Sequence, residues 1–499
     1  MPKSLWILIL VFSFLGILSF FPFYEYFFVR FEGWHIWRQA DSLSLSLSYI
    51  FFDNPFFEPR LFNLGFSGNG KTGSDFPFLY YWISAISEGY NVEVFYKVVV
   101  FSIAISGLIS FYKIASYYVT NFQAYISTLF FAISPTYIFY SNNYLMNIPS
   151  LSLSMLGLYL IHEYYQKSKR IYLLIGTIVL ALAVLLKATA LNHVLVIIIF
   201  FVCKSVATKS INKSSKRILY SFGVIIGLMI FWIGYISNYN LANNSGMFLT
   251  GILPFWEIQT SEELMKITQE IIYRKRELYS PITLLIIPLS LVVIFSNTKW
   301  NLTFFKSPLL IILTYLGGFI LYLALFYKVL DQHDYYYTNW LIITPLSVVS
   351  VFYVLKENKK VVILLYIVLT VILIDGIFTC KLRLEDRYSG WRNEFYRTYI
   401  NKLESDYTRF YQNNLTINNK IYIPSDPTIN ASLVTLHVQG WTGYNVFTED
   451  NVHLLNDNNV DFILIRNGES TPEYISKYFD FTKPYLIGEF STIYPHIVN

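Results

Sequence analysis

A chain of 499 residues in which 55% are hydrophobic, 19% aromatic and only 14% charged lies far from the roughly 25% charged of a soluble globular protein. Its mean hydropathy of +0.45, with apolar stretches of roughly 20 residues recurring along the chain, excludes soluble multidomain architectures, because such stretches match a hydrocarbon core about 30 Å thick. The net charge of +5 is modest, and its meaning lies in where Lys and Arg fall, with no case for nucleic acid as a partner.

Lys3 and the apolar run from Leu5 to Phe23 resemble a secretory signal. Tyr24-Glu25-Tyr26-Phe27-Phe28 follows, however, where small residues would be needed for cleavage, so the run reads as a retained first helix. Apolar windows then predict helices near 4–23, 97–117, 121–140, 148–165, 171–187, 188–203, 218–237, 281–296, 308–327, 337–355 and 361–380, about eleven in all. The short turns at Lys167, Lys169 and Arg170, at Lys204, Lys209, Lys213, Lys216 and Arg217, at Lys299 and Lys306, and at Lys356, Lys359 and Lys360 are basic. The alternate turns hold only Lys187 and Lys328. Basic loops stay cytoplasmic, so the N-terminus is expected inside a cell (plasma or inner) membrane. Residues 24–96, 238–280 and the C-terminal segment are then extracytoplasmic. Cys203 and Cys380 end separate apolar segments and suggest neither a disulfide framework nor a thiolate metal site.

The last 119 residues hold 25 charged groups against 44 in the first 380. This shift predicts a transmembrane module over 1–380, including the outer loops 24–96 and 238–280, followed by an extracytoplasmic domain over 381–499. Lys420 to Pro424 and Val460 to Arg466 read as strands and Trp391 to Tyr411 as helical, giving a small α/β fold. No internal repeat is visible.

Gly65-Phe66-Ser67-Gly68-Asn69-Gly70-Lys71-Thr72 matches the P-loop pattern letter for letter. A P-loop requires a strand before it and a helix immediately after it. Here Gly73-Ser74-Asp75-Phe76-Pro77 follows, on the outer side, so the segment reads as a glycine-rich surface loop.

Four positions can carry chemistry, because ionisable groups at membrane-helix ends are costly to keep without use. In Trp34-His35-Ile36-Trp37-Arg38-Gln39-Ala40-Asp41, helical spacing puts Arg38 and Asp41 on one face; a surface ion pair on an interfacial helix is the plainer alternative. In Asp75-Phe76-Pro77, Asp75 could equally cap a helix begun by Pro77. Lys187 stands alone in a run of about thirty apolar residues and either meets a lipid phosphate or snorkels to the interface. In Asp331-Gln332-His333-Asp334-Tyr335-Tyr336-Tyr337, His and Tyr can donate to a phosphate oxygen, whereas an aromatic belt explains the tyrosines alone.

Trp37-Arg38-Gln39-Ala40-Asp41, Asp75-Phe76-Pro77, Lys187-Ala188-Thr189 and His333-Asp334-Tyr335-Tyr336 together resemble the GT-C superfamily of membrane glycosyltransferases, in particular its protein-mannosyltransferase and aminoarabinose-transferase-like branch. Gly440-Trp441 adds a weaker likeness. The resemblance implies a polytopic α-helical fold that moves a sugar from a polyprenyl-phosphate donor to a lipid, glycan or protein acceptor at the outer face, generally with inversion. It implies Asp41 as general base and Asp75 as a second acid orienting acceptor or sugar. Arg38, Lys187 and His333 then neutralise the departing lipid phosphate, and Tyr335, Tyr336 and Asn147 contact substrate. Where relatives often carry an acid, this chain has Asn147 in Met146-Asn147-Ile148-Pro149. An amide cannot act as a base or a strong metal ligand, so a divalent cation could assist but is not indicated, and no other cofactor is needed. A transporter or flippase of lipid-linked glycans accounts for the helices equally well, but predicts polar groups at the bilayer midplane and paired helix breaks. An adhesion or scaffold protein would leave Asp41, Lys187 and His333 unexplained.

Overall fold

The computed structural model describes residues 2–21, 23–87, 91–248, 251–297, 309–389, 393–413 and 415–497. Lys299, Lys306 and Trp391, used in the sequence reading, lie outside these. The chain divides into two compact units. One comprises Met1–Phe27, Lys97–Ile233 and Gly251–Glu385; the other comprises Phe28–Tyr96, Gly234–Thr250 and Asp386–Asn499.

The first unit is helical. Each of the eleven apolar windows contains helix, but several are interrupted where the local chemistry forbids continuation. The window 121–140 splits into Asn121–Ala132 and Pro135–Ser141, because Pro135 lacks the amide that would extend the first helix, and Ser134 caps the second through Tyr137 N. The window 281–296 belongs to a pair, Ser261–Leu278 and Pro281–Ser296, bent by 99°. Tyr279 is extended there, and Ser280 caps a helix that starts at Pro281. The helix Asn147–Lys167 packs against Arg170–Leu186 at a small-residue crossing, where a Cβ on Gly176 would come within 3.1 Å of the Gly157 carbonyl.

By length and composition, six helices among the described residues can cross a membrane, or seven if the bent pair counts as one span; Lys3–Ser19, Phe78–Ser87 and Arg170–Leu186 are shorter apolar helices. Asn147–Lys167 does not count among them, its apolar run being diluted by Asn147, Ser150, Ser152, Ser154 and Glu163, all buried. On the helix Lys359–Ser389, Ile363, Leu364, Ile367, Val371 and Ile374 are half or more exposed. A face of that kind is stable only against lipid. The protein is therefore a multi-pass membrane protein.

The second unit holds a five-stranded sheet ordered β2-β1-β3-β5-β4, from β1 (Lys420–Ile423), β2 (Gln439–Thr442), β3 (Phe462–Arg466), β4 (Leu486–Ile487) and β5 (Ser491–Pro495). β1 lies parallel to β2 and β3, while β5 runs antiparallel to β3 and β4. Tyr422, Trp441, Phe447, Leu455, Ile463 and Ile475 form its core together with Leu64 from the early loop. That loop joins the sheet directly: Gly440 N donates to Phe62 O at 3.0 Å and Leu64 N to Gly440 O at 2.8 Å. The helices Ile36–Phe51 and Phe78–Ser87 also belong to this unit. They cross through small residues, Ser46 Oγ donating to Tyr80 O at 3.0 Å.

The P-loop match is a loop in this unit, as its sequence context requires. Its last glycine and lysine amides are spent internally: Gly70 N donates to Leu64 O at 2.9 Å and Lys71 N to Asn69 Oδ1 at 2.8 Å. The Lys71 ammonium is paired with Glu58 at 2.6 Å, and the next helix begins only at Phe78. The strand-loop-helix geometry on which a P-loop depends is therefore not formed here.

Candidate functional site

The first constellation lies within the second unit, on the helix Ile36–Phe51. His35 takes a left-handed conformation (φ 58°) to start it, and Gln39 Nε2 donates to Glu32 O and Trp34 O, both at 2.8 Å, which fixes the entering turn. Arg38 and Asp41 then sit one turn apart on the same face, with Arg38 Nη1 3.9 Å from Asp41 Oδ2. Arg38 Nη2 also reaches Asp75 Oδ2 at 3.2 Å and Ser74 Oγ at 3.3 Å, while its guanidinium lies 4.6 Å from the ring of Phe248. Asp75 takes a further hydrogen bond from the Tyr80 hydroxyl at 3.1 Å. Arg38, Asp41 and Asp75 thus form one cluster in which Asp41 is buried and the other two are half-buried, unlike the surface ion pair open at the level of sequence.

The cluster has a partner that sequence reading missed. Asn430 Nδ2 donates to Asp41 Oδ1 at 2.8 Å, and Asn430 is fully buried. Its own oxygen accepts from Asn63 N at 2.9 Å and Ser44 Oγ at 3.3 Å, so its donor end must point at Asp41. Asn63 is tied in turn to Ile429 O and Asn445 Oδ1, both at 2.8 Å. Asp426 caps the short helix carrying this shelf, accepting from Thr428 N and Ser432 N at 2.7 and 2.8 Å. The polar run Ser425-Asp426-Pro427-Thr428-Ile429-Asn430-Ala431-Ser432 was the available signal, a capped turn with more polar groups than one cap needs.

Burial pushes the Asp41 carboxyl up from the usual 3.8 to about 6; Arg38 and Asn430 pull it down, and Asp426 adds a smaller upward push. In the same unit, a cavity of about 510 Å³ is walled by Gly65, Lys71, Ser245, Tyr444 and Asn445 among others. Burial and then the Asp41 charge raise the Tyr444 hydroxyl, which places Tyr444 within electrostatic reach of the carboxylate.

The second constellation lies within the first unit. Lys187 is extended (φ −147°) where the helix Arg170–Leu186 ends and a short turn, Ala188–Ala190, begins. Thr189 Oγ1 accepts from Asn339 Nδ2 at 2.7 Å, and Asn339 Oδ1 is 3.2 Å from His193 Nε2. The threonine of Lys-x-Thr therefore ties its turn to the segment Asp334–Trp340. Asn147 Nδ2 donates to Tyr335 O at 3.0 Å, and its Oδ1 has no hydrogen-bond partner among the described residues. His333 stacks on Tyr335 at 4.8 Å and 12° and also meets the Tyr336 ring at 5.6 Å. The fully buried Asp334 takes the Tyr140 hydroxyl at 2.5 Å. Asn147, Thr189, His333 and Tyr335, read from separate stretches of sequence, thus belong to one connected surround. Among the described residues, no three His, Cys, Asp or Glu side chains gather as a metal site would need.

Residues 75–235 match the family model described as dolichyl-phosphate-mannose-protein mannosyltransferase. No curated protein matches. Among solved structures, ArnT from Cupriavidus metallidurans bound to undecaprenyl phosphate is similar over 99% of this chain and 98% of its own, with a TM-score of 0.61 at 9% identity. The oligosaccharyltransferase from Archaeoglobus fulgidus is similar over 92% of this chain and 69% of its own, with a TM-score of 0.56 at 12% identity. The same organism's AglB, in complex with an inhibitory peptide and a dolichol-phosphate, gives a TM-score of 0.53 at 12% identity over 93% of this chain and 70% of its own.

Proposed function

We propose that this chain, a multi-pass membrane protein with the fold of the GT-C glycosyltransferases, moves a sugar from a polyprenyl-phosphate donor to an acceptor hydroxyl at the outer membrane face, with inversion. The observation that carries the reading is the Asp41 carboxyl, buried, oriented by Asn430 and raised to about 6. A general base for a neutral hydroxyl works best with a pKa near the working pH, and an ordinary exposed aspartate is too weak. Asp41 takes the acceptor proton as the acceptor oxygen bonds to the anomeric carbon and the bond to the phosphate oxygen breaks. Asp75, held by Arg38 and Tyr80, orients acceptor or sugar. The cavity walled by Tyr444 and Ser245 suits the acceptor side, since Lys71 is neutralised by Glu58 and Ser67, Thr72, Asn244 and Asn445 add neutral polar groups to an otherwise apolar lining.

On the donor side, charge builds on the leaving phosphate, and fixed cations lower that barrier. Arg38, Lys187 and His333 take this role by their match to the family motifs. Tyr335, Tyr336 and Asn147, whose Oδ1 is open, take the donor's polar groups on the same match. With the basic turns cytoplasmic, these motifs and the C-terminal residues 381–499 fall outside the cell membrane.

Detergent extracts separate this reading from a flippase, because without a sealed bilayer nothing can be translocated. Purified protein given a labelled polyprenyl-phosphate sugar and crude envelope acceptor is expected to strip the label from the lipid. Intact donor in detergent, together with leaflet exchange of the same lipid in sealed vesicles, would replace the transferase by a transporter.

Asn430→Ala separates positioning from mere packing. Its hydrogen bond lowers the Asp41 pKa, so its loss should move the acid limb of the transfer rate above pH 6. The maximal rate should fall about tenfold, the scale of one charge-assisted hydrogen bond. A lower rate with an unmoved acid limb would reduce Asn430 to a structural residue.

A further inference from the structure

A second cavity, of about 270 Å³ and mostly apolar, lies in the first unit and is lined by none of the residues assigned above to the transfer reaction. Met155, Ile197, Phe201 and Val349 belong to its walls, and His162, Gln166 and Lys204 supply its polar groups. Its place follows from the helix Asn147–Lys167: Asn147 opens the first turn and His162 stands fifteen residues on, roughly 22 Å along the axis at 1.5 Å per residue. The cavity therefore sits toward the opposite helix end from Asn147. The nearby turns carry Lys167, Lys169 and Arg170, and Lys209, Lys213 and Arg217.

The polar groups are incompletely used. Lys204 Nζ donates to the Tyr165 hydroxyl at 2.6 Å and lies 5.0 Å from its ring, and among the described residues no carboxylate pairs with it. The nearest acid on the neighbouring helix, Glu163, is committed to Lys167 and the Tyr117 hydroxyl. His162 Nε2 meets the Tyr118 hydroxyl at 3.2 Å, while its buried Nδ1 has no partner among the described residues. An apolar crevice with one uncompensated ammonium and neutral donors beside it complements an amphiphile with a chain and a single negative charge. A phosphodiester carries one charge, whereas a phosphate monoester carries about 1.5–2 near neutrality and calls for more than one cation.

We propose that this crevice binds an anionic phospholipid of the leaflet at the basic helix ends, with one acyl chain between Met155, Ile197 and Val349 and its phosphodiester on Lys204. The site is separate from the transferase reading and stands or falls without it. Its consequence is that the protein holds a structural lipid toward the helix end opposite Asn147.

The test uses the full chain in detergent with a phosphatidylglycerol that carries a photoactivatable group in its acyl chain, read by peptide mass spectrometry. Label is expected on the segments around Met155 and Ile197, displaced by unlabelled phosphatidylglycerol in preference to phosphatidylcholine. Lys204→Gln should lower labelling about fivefold, the worth of one cation near a lipid surface, and Lys204→Arg should retain it. Ile197→Trp, which fills the crevice and leaves the cation, should also lower it, so the result does not depend on one variant folding. Label only elsewhere, or labelling indifferent to both Lys204→Gln and Ile197→Trp, overturns the proposal. Displacement by undecaprenyl phosphate more readily than by phosphatidylglycerol overturns it too, and gives the crevice to the monoester.

Discussion

Asp41→Asn is expected to lower transfer about 10²- to 10⁴-fold, the range a positioned general base contributes, while leaving the protein at least as stable as wild type. The two halves of this expectation come from one cause. Burial raises the folded-state pKa of Asp41 from 3.8 to about 6, so the folded protein holds that proton more tightly than the unfolded chain does. The stability Asp41 contributes is therefore complete below pH 3.8 and lost as pH rises through about 6. By pH 7 the ionised carboxylate costs about 3 kcal/mol relative to its neutral form. An asparagine is neutral throughout, and its carbonyl oxygen can still accept from Asn430 Nδ2. Wild-type transfer should rise with pH through about 6 and level off, in step with ionisation of the base. Thermal unfolding at pH 7.5, measured beside transfer, decides the matter. Retained transfer would remove Asp41 as the base, and a loss of transfer together with a lowered melting temperature would make the residue structural.

Gly440→Ala should collapse the sheet and with it all transfer. A Cβ there would lie 1.8 Å from the Ile421 carbonyl oxygen and 2.7 Å from its carbon, in the parallel pair where Ile421 faces Gly440. The neighbour is backbone and cannot rotate away. Moving β2 would break the bonds of Gly440 to Phe62 and Leu64 and that of Trp441 Nε1 to Gly65 O at 2.7 Å. Losses on this scale exceed about 4 kcal/mol. Gly468→Ala is the matched control: φ is also positive, at 86°, but its Cβ meets nothing within 4 Å, so the cost is confined to about 1–2 kcal/mol of backbone strain. Limited proteolysis should release fragments of 386–499 from Gly440→Ala and leave Gly468→Ala intact. Equal resistance in the two variants would mean that β1 and β2 tolerate separation.

The helices were legible because lipid imposes one rule on every crossing segment, and long apolar windows obey it. The interruptions were harder to see. Pro135 and Pro281 are visible signals, but whether a proline bends a helix or begins a new one depends on the residue before it, Ser134 or Ser280, finding an amide to cap. The helix Ser261–Leu278 is charged and amphipathic, so a search for apolar windows passes over it. In the sheet, β1 and β3 announce themselves through Ile, Tyr and Phe, whereas β2 is the unpromising Gln439-Gly440-Trp441-Thr442 and draws its stability from the loop at Phe62.

The same contrast holds at the site. Arg38 and Asp41 were readable as a pair because three residues along a helix is a local distance, and Asp75 followed from its motif. Asn430 was not, because the polar run around it signals a capped turn with polar groups to spare but not which of them orients a carboxylate nearly four hundred residues away.

That separation, 389 residues between Asp41 and Asn430, also sets an order of events during biosynthesis. At 5–20 residues per second, Asn430 leaves the ribosome about 20–80 s after Asp41. Through that interval the helices of the first unit can insert, but the carboxylate lacks the amide that holds it and the strand at Gly440 that anchors its loop. On the proposed reading, a nascent chain that has not yet reached Asn430 and Gly440 is an inserted membrane protein whose base is not yet oriented.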